Sequence, residues 1–285
     1  MKLQSALAAL FIMFIAGASS AQTSIGPAKG SLVISGGDLT KEVIQRFVNL
    51  AGGPDAEFVY IPTAASSIKL PSGFIFDPPN TATPAPNTRE FEQELSKLFG
   101  VKHITVLHTR DRTVANSENF VRPLATAKGV WLSSGNPGRL ADTYLGTLTQ
   151  REIEAVLNRG GVVGGNSAGA IIQGSYIVRG RPDKPLLMAQ GHERGFAFLK
   201  NVAIDPHLTE QKREAELVNV VDAHPELLGI GIDETAAIVV QSDVFEVIGA
   251  GRVAIYDNVK HDGNWYYWLT CGDRFDLRSR KVLPR

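Results

Sequence analysis

Residues 161–172 read Gly-Val-Val-Gly-Gly-Asn-Ser-Ala-Gly-Ala-Ile-Ile. The apolar run Gly161–Gly164 suits a buried strand, and Ala168–Ile172 suits a small-residue helix. Between them, Gly165–Gly169 matches the pattern G-x-S-x-G. In that pattern the serine sits on a sharp, strained turn between strand and helix, and the glycines let the backbone pass close to the strand. The strand–turn–helix setting points to Ser167 as a nucleophile. Its position at a helix N-terminus places amide N–H groups where negative charge would develop.

Working outward, the chain alternates strands and helices. Ser31–Ser35, Glu57–Ile61, His103–Leu107, Gly129–Leu132 and Gly161–Gly164 read as strands. Lys41–Leu50 carries Val43, Ile44, Phe47 and Val48 at helical spacing. Asn87-Thr88-Arg89-Glu90 resembles a capping box opening a helix to Phe99, with Gly100 as its stop. Thr149-Gln150-Arg151-Glu152 is a second such box, opening a helix that ends at Gly160. Alternation of this kind predicts an α/β three-layer sandwich, a mostly parallel sheet with helices on both faces. Beyond it come a strand at Val202–Ile204, a helix over Lys212–His224 and a strand at Leu228–Ile232. Ala236–Val240, Val244–Gly249, Arg252–Tyr256 and Trp265–Thr270 then follow as strands without helices, predicting an antiparallel C-terminal extension of one sheet edge. Ser66–Asn87 holds five prolines and little periodicity, the texture of a lid or surface insertion.

The 285 residues are 44% hydrophobic and 20% charged, a globular composition. Lys plus Arg and Asp plus Glu are 29 each, so the formal net charge is zero. That balance argues against nucleic acid or an anionic membrane face as partner. Met1–Ala21 reads as a secretory signal: Lys2 begins it, Ala6–Ala18 is apolar, and Ser19-Ser20-Ala21 is a small-residue cleavage site. The expected mature chain is one domain over residues 22–285, exported to a periplasmic or extracellular destination, with no membrane association after cleavage. Cys271 is the single cysteine, which excludes an intrachain disulfide framework and multi-cysteine metal sites. A lone thiol in an oxidising compartment is expected to be buried and inert.

A serine hydroxyl needs a base within hydrogen-bond reach. Of six histidines, His207 stands out because Ile204-Asp205-Pro206-His207 follows a strand directly. Sites in open α/β sheets assemble at the carboxyl ends of strands. His103, His108, His192, His224 and His261 suit surface or capping roles. The base in turn needs a carboxylate to hold its tautomer. Gly229–Glu234 offers Asp233 and Glu234 at another strand end, and sequence alone leaves the choice between them open.

The segments SGNPG, GNSAGA, DPHLTEQKREAEL and GIGIDETAAIVV together resemble the cyanophycinase and aspartyl dipeptidase family of serine peptidases. The resemblance runs from about Ser31 to Val240. It implies a class I glutamine-amidotransferase-like sheet and a Ser-His-Glu triad, whose members fall on Ser167, His207 and Glu234. They are separated by 40 and 27 residues. It also implies oxyanion donors in the backbone N–H groups of Ala168 and Gly135, the latter in the Ser134-Gly135-Asn136 turn. Cyanophycinases release β-Asp-Arg dipeptides from a polymer with an aspartate backbone and arginine side groups. Their histidine motif reads D-Q-H-F-x-x-R-x-R-x-x-R. Here Asp205, His207 and Arg213 match it, while Pro206 replaces the glutamine, Gln211 the first arginine and Glu216 the last. Pro137 stands where the family's G-G-D-Q turn has glutamine. A planar guanidinium is not replaced by Gln or Glu.

The expectation is an exported serine exopeptidase acting on aspartyl peptide bonds, with no metal or organic cofactor. Asn136, Asp205 and Arg213 are its candidate substrate-binding residues, Asp205 toward a substrate cation and Arg213 toward a carboxylate. The expected partner is a peptide, an aspartyl dipeptide or a cyanophycin-like polymer; the oligomeric state is left open, a homodimer included. One rival is an α/β-hydrolase esterase using Ser167, Asp233 or Asp257, and His261. A second is an exported binding protein on the same fold without turnover.

Overall fold

A computed structural model describes residues 24–80, 85–181 and 191–285. The expected signal segment Met1–Ala21 lies outside the described residues. The strands in chain order begin with β1 (Ser31–Ser35), β2 (Glu57–Ile61), β3 (Ile68–Lys69), β4 (Ile75–Phe76), β5 (His103–Val106), β6 (Gly129–Leu132), β7 (Val162–Asn166) and β8 (Gly174–Ile177). They continue with β9 (Leu199–Pro206), β10 (Leu228–Ile232), β11 (Ala236–Gln241), β12 (Val244–Gly249), β13 (Val253–Tyr256), β14 (Tyr267–Leu269), β15 (Arg274–Asp276) and β16 (Lys281–Leu283). The helices are α1 (Lys41–Leu50), α2 (Thr88–Phe99), α3 (Arg112–Ala115), α4 (Glu118–Val121), α5 (Pro137–Tyr144), α6 (Leu148–Asn158), α7 (Ala168–Ile171) and α8 (Glu216–Ala223).

Nine strands form the main sheet in the order β16-β15-β12-β11-β1-β7-β6-β2-β5. The block β1-β7-β6-β2-β5 is parallel throughout. The four crossovers between its strands run through α1, through α2, through α3 and α4, and through α5 and α6. β1 is buried at every residue, as a central strand covered on both faces must be. Alternation along the strands divides the core into two. Val33, Tyr60, Trp131 and Val162 face α1 and α2, packing with Phe47, Phe91 and Phe99. Leu32, Ile34, Ile61, Leu132 and Val163 face the opposite way, toward α5, α6 and α7. The result is a mixed α/β fold with a large, mostly parallel central sheet, helices and additional antiparallel strands.

The C-terminal strands do not all extend one edge. β11, β12, β15 and β16 pair antiparallel onto β1. β13 and β14 instead join β10, β9 and β8 in a second, five-stranded sheet. Ile204, Leu228 and Ile230 of that sheet share the core with Leu32 and Val163. One covering layer is therefore part helix and part sheet.

Four local expectations shift. Asn87 precedes α2 but makes no side-chain cap; Gly100 ends the helix as expected. Thr149 lies inside α6, which starts at Leu148, because its hydroxyl donates to the Ala115 carbonyl at 2.6 Å instead of capping. The helix expected from Lys212 begins at Glu216, since Lys212 has φ of 54°, outside the right-handed helical region. Cys271 is exposed in the turn between β14 and β15, not buried. Among the described residues, no helix is long and apolar enough to cross a membrane.

The proline-rich segment is anchored. β3 and β4 form a hairpin, and Phe76 stacks on Phe91 of α2 with ring centroids 4.1 Å apart. His108 ties the same segment down, with Nε2 2.7 Å from the Pro79 carbonyl and Nδ1 2.9 Å from the Thr63 hydroxyl. Phe91 is fully buried and also meets Tyr60 edge-on. Phe91→Ala is expected to cost about 3–5 kcal/mol in chemical denaturation and to make cleavage between Ile68 and Asn80 faster in limited proteolysis.

Candidate active site

Asn166 ends β7 and Ser167 opens the turn into α7 with φ 53° and ψ −111°. Such a conformation is costly for a residue with a side chain and persists only where the surroundings impose it. Here they do. A Cβ on Gly169 would lie 2.0 Å from the Leu132 carbonyl, and one on Gly165 would lie 2.4 Å from the Gly169 carbonyl. The glycines thus let α7 lie directly against β6 and β7, lifting the Ser167 hydroxyl off the end of the sheet. α7 is a single turn, so its contribution to a negative charge is its first free amides rather than a long helix dipole.

His207 follows the last residue of β9, with φ 56°. Its Nε2 is 2.8 Å from Ser167 Oγ, and its Nδ1 makes a close hydrogen bond to Glu234 Oε2. With Glu234 ionised, Nδ1 carries the proton and Nε2 accepts from the serine hydroxyl. Glu234 stands in the turn between β10 and β11, on the far strand of the second sheet's parallel trio. Gly37 makes room for the pair: a Cβ there would lie 2.3 Å from Glu234 Oε1 and 2.7 Å from His207 Cε1.

The adjacent carboxylates separate cleanly. Asp233 is buried and accepts from the Thr209 hydroxyl, the Thr209 amide (3.3 Å) and the Arg252 amide (3.1 Å). It fixes the turn that carries His207, while Glu234 holds the ring. His261 is elsewhere, its Nε2 2.9 Å from Asp257 Oδ1 and stacked edge-on against Tyr267.

Ser167 and His207 border a cavity of about 310 Å³ that also meets Gly135, Arg139, Arg179 and Arg213. Gly135 has φ 135°, and a Cβ there would lie 2.2 Å from the Ala64 carbonyl. Among the described residues its amide has no acceptor, and Ala168, first in its helix, has none within the helix. Asn136 borders the cavity, but its side chain serves the protein: Oδ1 caps α5 by accepting from the Gly138 amide at 2.8 Å, and Nδ2 donates to the Arg181 carbonyl at 3.0 Å.

Asp205 likewise differs from its expected place. It is 1% exposed and sits beneath the cavity wall, not in the opening. Arg179 grips it twice, Nε to Oδ1 at 2.9 Å and Nη2 to Oδ2 at 2.7 Å. Glu216 accepts from the same guanidinium at 2.9 Å, and Arg213 lies 3.7 Å from Asp205. Burial pushes the Arg179 pKa down; Asp205 and Glu216 outweigh that and hold it above its ordinary value. The two guanidiniums and two carboxylates cancel. Arg139 adds a positive charge, with the Ala64 carbonyl at 3.1 Å and no carboxylate partner among the described residues. Arg213 is bonded to Gln211, the residue standing where the family motif has an arginine. Arg179 and Arg139 escaped the sequence reading. The signal for Arg179 was its place just beyond the strand β8, the same strand-end rule that singles out His207.

The chain matches the family model described as Peptidase family S51 over residues 31–248. It is 31% identical to a cyanophycinase of Geminocystis herdmanii over 225 residues, 76% of this chain and 75% of that one. It is 29% identical to a cyanophycinase of a Nostoc species over 272 residues, 86% and 83% of the two chains. Among solved structures, a peptidase from an acI-B1 Actinobacterium shares the fold with a TM-score of 0.67 at 24% identity, covering 88% of this chain and 98% of that one.

Two substitutions test the geometry. Gly37→Ala is expected to slow fluorophosphonate labelling of Ser167 at least tenfold by crowding the histidine and glutamate, with the thermal midpoint nearly unchanged. Asp205→Ala leaves Arg179 buried and half-paired, so it should cost about 3–5 kcal/mol in denaturant unfolding; a loss of substrate affinity with stability intact would return Asp205 to the substrate.

Proposed function

The chain belongs to peptidase family S51, and from that premise we propose that it is an exported exopeptidase hydrolysing aspartyl peptide bonds through Ser167, His207 and Glu234. That it is a cyanophycinase-like serine peptidase acting on peptides follows from the family itself. The observation that supports the triad is the pair of hydrogen bonds on one imidazole, Nε2 to Ser167 and Nδ1 to Glu234.

In this reading Ser167 occupies a nucleophile elbow. Its oxygen attacks the scissile carbonyl carbon as His207 Nε2 takes its proton, and Glu234 stabilises the imidazolium. The amides of Ala168 and Gly135 hold the oxyanion, each worth about 3–4 kcal/mol in such a role. His207 returns the proton to the leaving amine. Water, deprotonated by the same nitrogen, then releases the acyl group and restores the serine. Arg139, which lines the same cavity as the nucleophile and has no carboxylate partner among the described residues, favours an acyl group bearing a carboxylate, which supports an aspartyl residue there. The segment Met1–Ala21 supports export to the periplasm or beyond.

The esterase reading loses its base, because His261 is bonded to Asp257 and not to Ser167. The binding-protein reading predicts an unreactive serine. Ser167→Ala is expected to lower kcat by about 10⁴-fold or more on aspartyl dipeptides and cyanophycin, followed by mass spectrometry of the products, with folding unchanged. His261→Ala should remain active. Wild-type protein that neither cleaves these substrates nor takes up a fluorophosphonate at Ser167 overturns the proposal.

A further inference from the structure

Gln173 lies just beyond α7 and is 0% exposed. A buried amide side chain has two polar ends to satisfy. Here only one is met. Nε2 donates to the Gly169 carbonyl at 2.8 Å, while Oε1 has no partner among the described residues. Turning the amide over would set two oxygens against each other at that distance, so the assignment is fixed. A buried acceptor without a donor costs free energy, and an apolar side chain of the same size would avoid that cost.

What the amide does is complete a helix that ends too soon. In a continuing helix the backbone N–H of Gln173 would donate to the Gly169 carbonyl. It donates to the Ala170 carbonyl instead, at 3.2 Å. The side chain of the same residue supplies the missing donor. The Gly169 carbonyl is also the group against which Gly165 of β7 has no room for a Cβ. One carbonyl oxygen thus lies between the strand that leads into Ser167 and the Gln173 amide.

A second link runs towards the histidine. The Gln173 carbonyl accepts from the Leu199 amide at 3.0 Å, and Leu199 is the first residue of β9. β9 ends at Pro206, and His207 follows it. One residue earlier, the Ile172 carbonyl accepts from the Phe196 amide at 2.8 Å. Gln173 therefore holds both elements that meet at the Nε2–Oγ hydrogen bond, α7 through its side chain and β9 through its backbone.

We propose that Gln173 is a positioning residue, a strut that sets α7 against β9 and thereby Ser167 against His207. The inference rests on the Ser167, His207 and Glu234 reading above, and it adds a wholly buried residue that touches no substrate. It accounts for a glutamine whose oxygen is unmet in a core position that an apolar residue would fill at less cost.

The test compares two substitutions by the rate of fluorophosphonate labelling at Ser167, measured well below each thermal midpoint. Gln173→Met keeps the volume and removes both ends of the amide. It trades an unmet Oε1 for an unmet Gly169 carbonyl, so its midpoint should stay close to that of wild type. Labelling should slow about tenfold, because small displacements of reacting groups are costly in rate. In Gln173→Glu, burial raises the carboxyl pKa, so at about pH 6 the group is neutral and presents one donor and one acceptor, as the amide does. That variant should label near the wild-type rate at about pH 6, and its ratio to wild type should fall towards about pH 9 as the carboxyl ionises and loses its donor. Gln173→Met labelling at the wild-type rate overturns the proposal, as do equal rates for the two variants at about pH 6. Hydrogen exchange, followed by mass spectrometry, decides the strut independently of reactivity. Gln173→Met is expected to speed exchange over residues 170–173 and at Leu199. Unchanged exchange there refutes the strut, even where wild-type Ser167 takes up no label and the triad reading itself has failed.

Discussion

Everything at the candidate site depends on how closely α7 approaches the sheet. The helix has no room for a side chain where Gly169 meets the Leu132 carbonyl, nor for one at Gly165. That contact fixes the height of the turn, and the turn forces Ser167 into a conformation a free chain would avoid. Parallel packing supplies the restoring force, because β1, β6 and β7 are buried on both faces and cannot shift to relieve the strain. The serine hydroxyl stands clear of the sheet, and the sheet can hold it there because its core is fully packed.

The histidine and glutamate reach Ser167 from a different sheet. β9 and β10 deliver His207 and the Glu234 turn, while β7 delivers the serine. The two sheets share one hydrophobic core, so burial of Ile204, Leu228 and Ile230 against Leu32 and Val163 also sets the distance between His207 and Ser167. Gly37 is the point at which the main sheet yields space to the pair. Beneath them the charged network is neutral by construction. Arg179, just beyond β8, is buried because Asp205 holds it twice and Glu216 once.

Much of this was legible in the residues. Buried parallel strands advertise themselves as short apolar runs, so β1, β2, β6 and β10 lie where the sequence places them. G-x-S-x-G announces a turn because only glycine tolerates the contacts around it. What could not be read is anything decided by a partner distant in sequence. β13 and β14 look no different from β11 and β12, yet they belong to another sheet. Thr149 has the composition of a cap and spends its hydroxyl on Ala115. Asp233 and Glu234 are neighbours of equal chemistry, and only the position of Thr209 and His207 in space gives each its partner. Asp205 follows the same rule: its residue type suits a substrate cation, and its burial against Arg179 determines what it binds.

The alternation of strands has a last consequence, for the charge on the two sides of the sheet's end. At the tip of a parallel strand, successive residues face opposite sides of the sheet, and Asn166 and Ser167 are such a pair. The arginine-bearing side offers net positive charge; the α1–α2 side offers one charge of each sign, Asp38 and Lys69. A symmetric cleft would accept a peptide either way round. Here the two halves differ in charge, and Ser167 and Gly135 line the positive one. That asymmetry comes from the same period-two geometry that buries the core, with no further element required.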